Sequence, residues 1–360
     1  MPIAFKSYLN QPSKYKGGKA KINGEVIKLS SNENMNGTSP LALAAIKEHQ
    51  LSVNEYPDRT DGKLREALSS YYEETLNTDQ FFTSNGGVRA IDMIMMGFLD
   101  VDTEAIFSNP GFGPYRSFPK KYGAKAIDVP LIGDQFDLDV EGILAAIKDS
   151  TRLLLITSPN NPTGTCPKKK DLDYLMANLP DHVVVIYDEV YFQFADTPDY
   201  VRAYEYVAQG LPVIGLNSFS KAYGMAGLRV GYGYSTPEIA AYIRNIPTPF
   251  PMSSLSTHAA IAALNDSAFI DLTVKENQKG KVYLYDELSK LNVRYWKTQA
   301  NFILLEPNMD SKTFADKMLE KKIMVRPVRN FGFDGIRLTI GKMHQNERVI
   351  QAMTEILKHS

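Results

Sequence analysis

The sequence predicts an α/β protein in which a largely parallel central sheet is sandwiched by helices and followed by a smaller α+β domain. Two observations carry this. From Asp79 to Tyr234 short apolar runs alternate with stretches of helical spacing, and after Pro247 the chain changes to a long helical segment, two further strand-like runs and a closing helix. A strand buried on both faces shows an unbroken apolar run, and helical connections between such runs are what parallel pairing requires. In chain order the expected strands are Ala105–Phe107, Ala126–Val129, Leu153–Thr157, Val183–Tyr187, Val213–Leu216 and Val230–Tyr234. Val88, Ile91, Ile94, Met95 and Phe98 share a helix face directly after Gly86-Gly87. Past Pro249 and Pro251 a single helical pattern runs from about Leu255 to Leu291. Strands Phe302–Leu305 and Ile336–Ile340 follow, separated by a helix over Ser311–Lys321 and closed by a helix over Gln345–Lys358. The change of pattern divides the chain into a larger domain, 38–250, and a smaller one, 251–360.

Composition removes several function classes. The 360 residues are 44% hydrophobic, ample for a buried core. With 40 Lys+Arg against 41 Asp+Glu the formal net charge is −1, so nothing electrostatic favours nucleic acid or an anionic membrane. The densest basic run, Lys168-Lys169-Lys170, follows Pro167 and reads as a solvated helix start. Met1 to Lys21 lacks the apolar stretch of a signal peptide, and the apolar-rich segment 90–99 contains Asp92 and is too short to span a bilayer. The lone cysteine, Cys166, excludes an intramolecular disulfide and reads as a small buried filler in a reducing compartment. A soluble, cytoplasmic protein is expected. His49, His182, His258, His344 and His359 have no ligand spacing, so no metal site is expected.

The chemistry concentrates in Ser218-Phe-Ser220-Lys221-Ala-Tyr-Gly-Met-Ala-Gly-Leu-Arg229-Val-Gly231, which follows the apolar run Leu211–Leu216. Strand ends of parallel sheets are where such proteins build sites. Two hydroxyls and a guanidinium suit a phosphate, and a lysine between them is placed to form a Schiff base with a carbonyl. Pyridoxal 5′-phosphate offers both groups. Gly86-Gly87, opening a helix at Val88, presents backbone N–H groups and the positive end of the helix dipole; in isolation a plain helix start is the better reading, and with Ser218, Ser220 and Arg229 a phosphate seat is.

Further motifs stand in order along the chain: Ser31-Asn32-Glu33-Asn34, Tyr56-Pro57-Asp58, Ser84-Asn85-Gly86-Gly87, Pro110-Gly111-Phe112, Asn160-Asn161-Pro162-Thr163-Gly164, Asp188-Glu189-Val190-Tyr191 and Gly335-Ile336-Arg337. Together with the lysine segment they resemble the pyridoxal-phosphate-dependent fold type I, class I and II aminotransferases over nearly the whole chain, most closely the histidinol-phosphate branch. The resemblance implies that Lys221 carries the cofactor and moves the proton. It implies that Asp188 pairs with the pyridine nitrogen, that Tyr191 and Asn161 hydrogen-bond the ring oxygen, and that Phe112 stacks on the ring. Gly86, Gly87, Val88, Ser218, Ser220 and Arg229 would hold the phosphate. From the local sequence alone, core packing and ring stacking account equally well for Phe112, and a turn or cap role is the commoner one for a strand-end residue such as Asp188.

Arg337 lies in an apolar strand, where a guanidinium must meet an anion or an acidic neighbour. In the branch resembled, it and Arg326 bind the substrate phosphate, with Tyr15 and Asn161 also on the substrate side. Tyr56 reaches the cofactor site of the other subunit of a homodimer. The resemblance also implies an N-terminal arm, 1–37, joined to the smaller domain. Two departures stand out: Arg89 replaces a commonly acidic residue, and Met35-Asn36 replaces the branch's Pro-Tyr. The expected activity is ping-pong transfer of an amino group from a histidinol-phosphate-like or aromatic donor to 2-oxoglutarate. A lyase, a decarboxylase or an amino-acid cyclase on the same scaffold is the alternative.

Overall fold

The computed structural model describes residues 26–73, 75–246 and 249–358. A short strand, Ile27–Lys28 (β1), precedes the seven strands of the main sheet: Phe81–Ser84 (β2), Glu104–Phe107 (β3), Lys125–Asp128 (β4), Thr151–Thr157 (β5), Val184–Asp188 (β6), Val213–Ser218 (β7) and Gly231–Tyr234 (β8). Their order across the sheet is β2-β8-β7-β6-β5-β3-β4. Every neighbouring pair is parallel except those of β8, which runs antiparallel to both β7 and β2. The central strands are covered on both faces, which explains their unbroken apolar runs. In β6, Val185 and Tyr187 enter one core while Val184 and Ile186 enter the other.

The helices are Pro40–His49 (α1), Gly62–Tyr71 (α2), Gly87–Phe98 (α3), Gly113–Ser117 (α4), Val140–Ala146 (α5), Lys169–Asn178 (α6), Ala203–Val207 (α7), Pro237–Arg244 (α8), Ser254–Leu264 (α9) and Ser267–Lys290 (α10). Ala90, Ile94, Tyr115 and Ile243 bring α3, α4 and α8 to one face of the sheet; Leu68, Ile143, Leu172 and Val207 bring α2, α5, α6 and α7 to the other.

The rest of the chain adds a four-stranded sheet of Arg294–Tyr295 (β9), Phe302–Glu306 (β10), Arg326–Pro327 (β12) and Ile336–Thr339 (β13), and the strand Ile323–Met324 (β11), which pairs parallel with β1. The helices Ser311–Glu320 (α11) and Met343–Lys358 (α12) pack with α10 on a separate core that includes Leu29, Leu284, Ile303, Phe314, Leu338 and Met353.

Two expectations need correction. The helix expected from Leu255 to Leu291 is two helices, α9 and α10, because Asn265 and Asp266 end one and cap the next. The Asp266 carboxylate accepts from Phe269 N and, at 2.6 Å, from the Ser39 hydroxyl. Short polar side chains compete with the helical backbone in this way, and the apolar periodicity on either side conceals it. The α9 residues Ala259, Ala260 and Ala263 lie in the core of the main sheet. The strand β2 had no counterpart among the expected strands: its sequence, Phe-Phe-Thr-Ser, is only half apolar although all of it is buried.

Candidate active site

Three adjacent strands, β5, β6 and β7, end at Thr157, Asp188 and Ser218, and all three residues line one cavity of about 250 Å³. Arg326 and Arg337, from β12 and β13, line it from the other side. This is the carboxyl edge of the parallel strands, where the polar ends of the loops converge.

At one end Ser218, Ser220 and Arg229 meet the start of α3. The Ser218 hydroxyl donates to Ser220 Oγ at 2.9 Å and accepts from Ser220 N at 3.1 Å, while Arg229 Nη1 donates to Ser220 Oγ at 3.3 Å. Gly87 and Val88 line the same space. Gly86 has φ +85°, and a Cβ there would stand 2.3 Å from Arg229 Nη2, so glycine is needed both for the backbone and for the approach of the guanidinium. Hydroxyls, a guanidinium and a helix N-terminus form a seat for a phosphate.

At the centre Asp188 is buried, and burial pushes its carboxyl up to about 6 against the hydrogen bonds from Tyr115 and Val190 N. The Tyr115 hydroxyl donates to Oδ2 in a short hydrogen bond, and Val190 N donates to Oδ1 at 3.2 Å. Phe112 also lines the cavity and meets Tyr115 edge to face, with ring centroids 5.6 Å apart. The Tyr191 hydroxyl accepts from Asn32 Nδ2 at 2.9 Å.

Lys221 Nζ donates to the Ser31 carbonyl at 3.3 Å and stands 5.5 Å from the centre of the Tyr191 ring. Burial, reinforced by the charge of Arg337, lowers its pKa to about 7, so a large share of the amine is neutral and nucleophilic near neutral pH. Arg337 donates through Nη1 to Asn161 Oδ1 at 2.6 Å and through Nη2 to Ser30 O at 2.8 Å. Asn161 therefore spends its amide oxygen on the arginine and has its amide nitrogen as donor. Arg326 stands directly opposite Arg337 in the β12–β13 register, with the Phe331 ring 5.7 Å and 5.6 Å from the two guanidiniums.

The cavity thus brings together Gly87, Val88, Phe112, Asn161, Asp188, Tyr191, Ser218, Ser220, Lys221, Arg229, Arg326 and Arg337, with Gly86 just behind Arg229. Tyr56 does not line it: the side chain is 84% exposed and stacks on Phe250 at 4.8 Å. Tyr15 lies outside the described residues. Arg89 turns to Asp92 on its own helix at 2.7 Å, and Met35 packs on the core beneath α10 and α12. The Cys166 thiol is pushed up to about 12 by burial and is a poor nucleophile.

Sequence reading missed Tyr115, Asn32 and the carbonyls of Ser30 and Ser31. Asn32 and Ser31 sat inside a quoted motif without a role; Tyr115 was signalled only by its position one helical step beyond Phe112. Among the described residues no group of three or more His, Cys, Asp or Glu side chains could hold a metal ion, and no helix is long and apolar enough to cross a membrane.

A phosphate seat at one end, a buried carboxylate in the same cavity as the Phe112 ring and a weakly basic lysine fit pyridoxal phosphate, whose phosphate, ring nitrogen and aldehyde call for such partners. Comparison with known proteins agrees. The family model described as aminotransferase class I and II matches residues 24–353. A histidinol-phosphate aminotransferase of Geobacillus sp. (strain WCH70) is 36% identical over 93% of this chain and 91% of its own. One of Moorella thermoacetica is 37% identical over 92% and 86%. Among solved structures, a putative histidinol-phosphate aminotransferase of Erwinia carotovora atroseptica has the same fold, with a TM-score of 0.86, 25% identity and coverage of 93% of this chain and 96% of that one. A family match over most of the chain and relatives more than a third identical along nearly their whole length, beside a cavity whose lining fits the cofactor, lead to one conclusion: the chain belongs to the class I and II aminotransferases, enzymes that depend on pyridoxal 5′-phosphate.

Proposed function

We propose that the enzyme takes its amino group from a phosphorylated amine of the histidinol-phosphate kind and passes it to a 2-oxo acid, 2-oxoglutarate, in two half-reactions at one site. The observation that carries the donor class is the Arg326–Arg337 pair. Two guanidiniums directly opposed across β12–β13 direct their charge into one cavity, and the complementary ligand is an anion able to meet both. The curated relatives bear the same donor in their names.

In this reading Ser218, Ser220, Arg229 and the N–H groups that follow Gly86 hold the cofactor phosphate, Phe112 lies against the ring and Asp188 faces the ring nitrogen. Tyr191 and the Asn161 amide nitrogen donate to the ring oxygen; Asn32, donating to Tyr191, leaves the phenolic proton directed away from itself. The bound cofactor supplies an aldehyde and an electron-accepting ring that stabilises negative charge at the donor's amine-bearing carbon. Lys221, with its lowered pKa, takes the proton from that carbon and returns it on the cofactor side. Asp188, kept as an acceptor by Tyr115, holds a proton on the ring nitrogen.

The reading extends to the assembly. The smaller domain, 251–360, joined by the arm 1–37, carries the donor-binding arginines over a larger domain, 38–250, with α9 seated on the larger core. Two copies pair in the cytoplasm, each lending Tyr56 to the other's phosphate seat. The exposed Leu51, Val53, Tyr56 and Phe250 support a partner over this face. Mixing a Lys221→Ala chain with a Tyr56→Ala chain, each crippled alone, should restore activity through one intact site per hybrid; exchange without recovery would mean that Tyr56 acts within its own subunit.

The donor assignment is tested with 2-oxoglutarate and a panel of amines that includes histidinol phosphate and phenylalanine. Histidinol phosphate is expected to give the highest kcat/KM. Arg326→Ala should lower it for the phosphorylated donor by about 10–100-fold, the value of a charge-assisted hydrogen bond, and lower it much less for phenylalanine. Equal losses for both would leave a general aminotransferase, and release of carbon dioxide would point to the decarboxylase.

A further inference from the structure

Directly after Asp188 the chain places a second acid, Glu189, which lines no part of the cavity and is 0% exposed. Its carboxylate gathers donors from every element around it. Oε1 accepts from Tyr234 OH at 2.5 Å, Asn217 Nδ2 at 2.8 Å and Arg202 Nη2 at 3.1 Å; Oε2 accepts from Arg202 Nε at 2.9 Å and Ala203 N at 3.2 Å. Arg202 Nη2 also donates to Tyr72 OH at 2.9 Å. The end of β6, two further strands and the start of α7 are thereby tied to one buried side chain.

The residues it ties are the neighbours of the anchors. Asn217 immediately precedes Ser218, as Glu189 immediately follows Asp188. Main-chain pairing reinforces the link, since Glu189 N donates to Leu216 O at 3.0 Å. The backbone also accommodates it: a Cβ on Gly215 would stand 2.3 Å from Tyr234 Cζ, so the Tyr234 ring crosses β7 over a glycine to reach Glu189. A buried carboxylate met by a guanidinium, a phenol and an amide is a stiff joint, because moving any strand end would strand charge in the core.

We propose that Glu189 is a positioning residue that fixes the spacing between Asp188 and Ser218, and with it the length of ligand that can engage a ring-nitrogen partner and a phosphate seat at once. This rests on the roles given above to Asp188 and Ser218. A ligand held at both ends gains from having the second end delivered at the right distance, whereas a ligand held at one end does not.

The difference supplies the test. Apoenzyme is titrated with pyridoxal phosphate, which spans both anchors, with pyridoxal, which lacks the phosphate, and with inorganic phosphate, followed by cofactor absorbance and by competition. Asn217→Ala and Tyr234→Phe each remove one donor to Glu189 without stranding a buried charge, and Glu189→Gln removes the charge itself. The first two variants are expected to weaken pyridoxal phosphate by about tenfold or more while changing pyridoxal and phosphate by less than about threefold. Losses of equal size for all three ligands would make the cluster merely structural, and unchanged pyridoxal phosphate binding would also overturn the proposal. If Glu189→Gln does not fold, the other two variants decide. Borohydride reduction of the loaded wild-type protein, followed by peptide mapping, checks the underlying site separately: label on a lysine other than Lys221 would sink that reading whatever the variants do.

Discussion

Lys221→Ala is expected to lower turnover by about 10⁴-fold or more, because in the proposed reading it removes both the amine that meets the cofactor aldehyde and the base at the reacting carbon. Binding of the cofactor phosphate should largely survive, since Ser218, Ser220 and Arg229 are untouched. A variant keeping more than about a hundredth of wild-type turnover would place the base elsewhere. The same substitution should stabilise the apoprotein. The folded pKa, about 7, lies below the ordinary lysine value of 10.5. Above the ordinary value both folded and unfolded chains carry a neutral amine and the lysine costs nothing. As pH falls towards 7 the unfolded chain takes up a proton that the folded chain refuses, so wild-type stability drops, and below that the loss is constant. Lys221→Ala escapes this loss, by roughly 2 kcal/mol near neutral pH after allowing for partial exposure and for the lost hydrogen bond to Ser31. Thermal melts of the two apoproteins between pH 7 and 10.5 should therefore converge as pH rises; a constant gap would contradict the shift.

Asp188→Asn should slow proton removal from the donor by about 10³-fold in single-turnover measurements, since an amide cannot hold the ring nitrogen protonated. Rates within tenfold of wild type would remove Asp188 from that role. Its pKa in the cofactor-free protein, raised to about 6 by burial, adds a pH signature. The carboxylate is present above that value and is lost as pH falls through it, so cofactor affinity should weaken on acidification, and this limb should be missing from Asp188→Asn. The burial of Tyr115, and the carboxylate beside it, hold its phenol well above its usual pKa, so it stays a donor throughout this range.

The sheet was legible because β3, β5, β6 and β7 are covered on both faces and need uninterrupted apolar sequence. What escaped was set by contacts distant in sequence. Phe81–Ser84 becomes a strand by pairing with β8, and the break at Asp266 depends partly on Ser39. The same holds at the site. Lys221 and Arg229 announce themselves by type and neighbourhood and Asp188 by its motif, whereas Tyr115 reaches Asp188 across 73 positions of chain and Asn32 reaches Tyr191 across 159. Hydrogen bonds of that span leave no local pattern. Glu189 was quoted within a motif, yet its five donors come from Arg202, Ala203, Asn217 and Tyr234, none of them adjacent to it.

If Arg326 and Arg337 hold the donor as proposed, the register that sets them opposite one another makes that end of the site a detector of valence before it is a mould for shape. A carboxylate brings one negative charge to two guanidiniums; a phosphate monoester brings nearly two at neutral pH and has three oxygens to share between them. Discrimination of that kind needs no close fit around the rest of the molecule. The same pair of strands can therefore serve amines whose organic portions differ, provided that they carry the dianion, and the identity of those portions is left to the residues that surround the entrance.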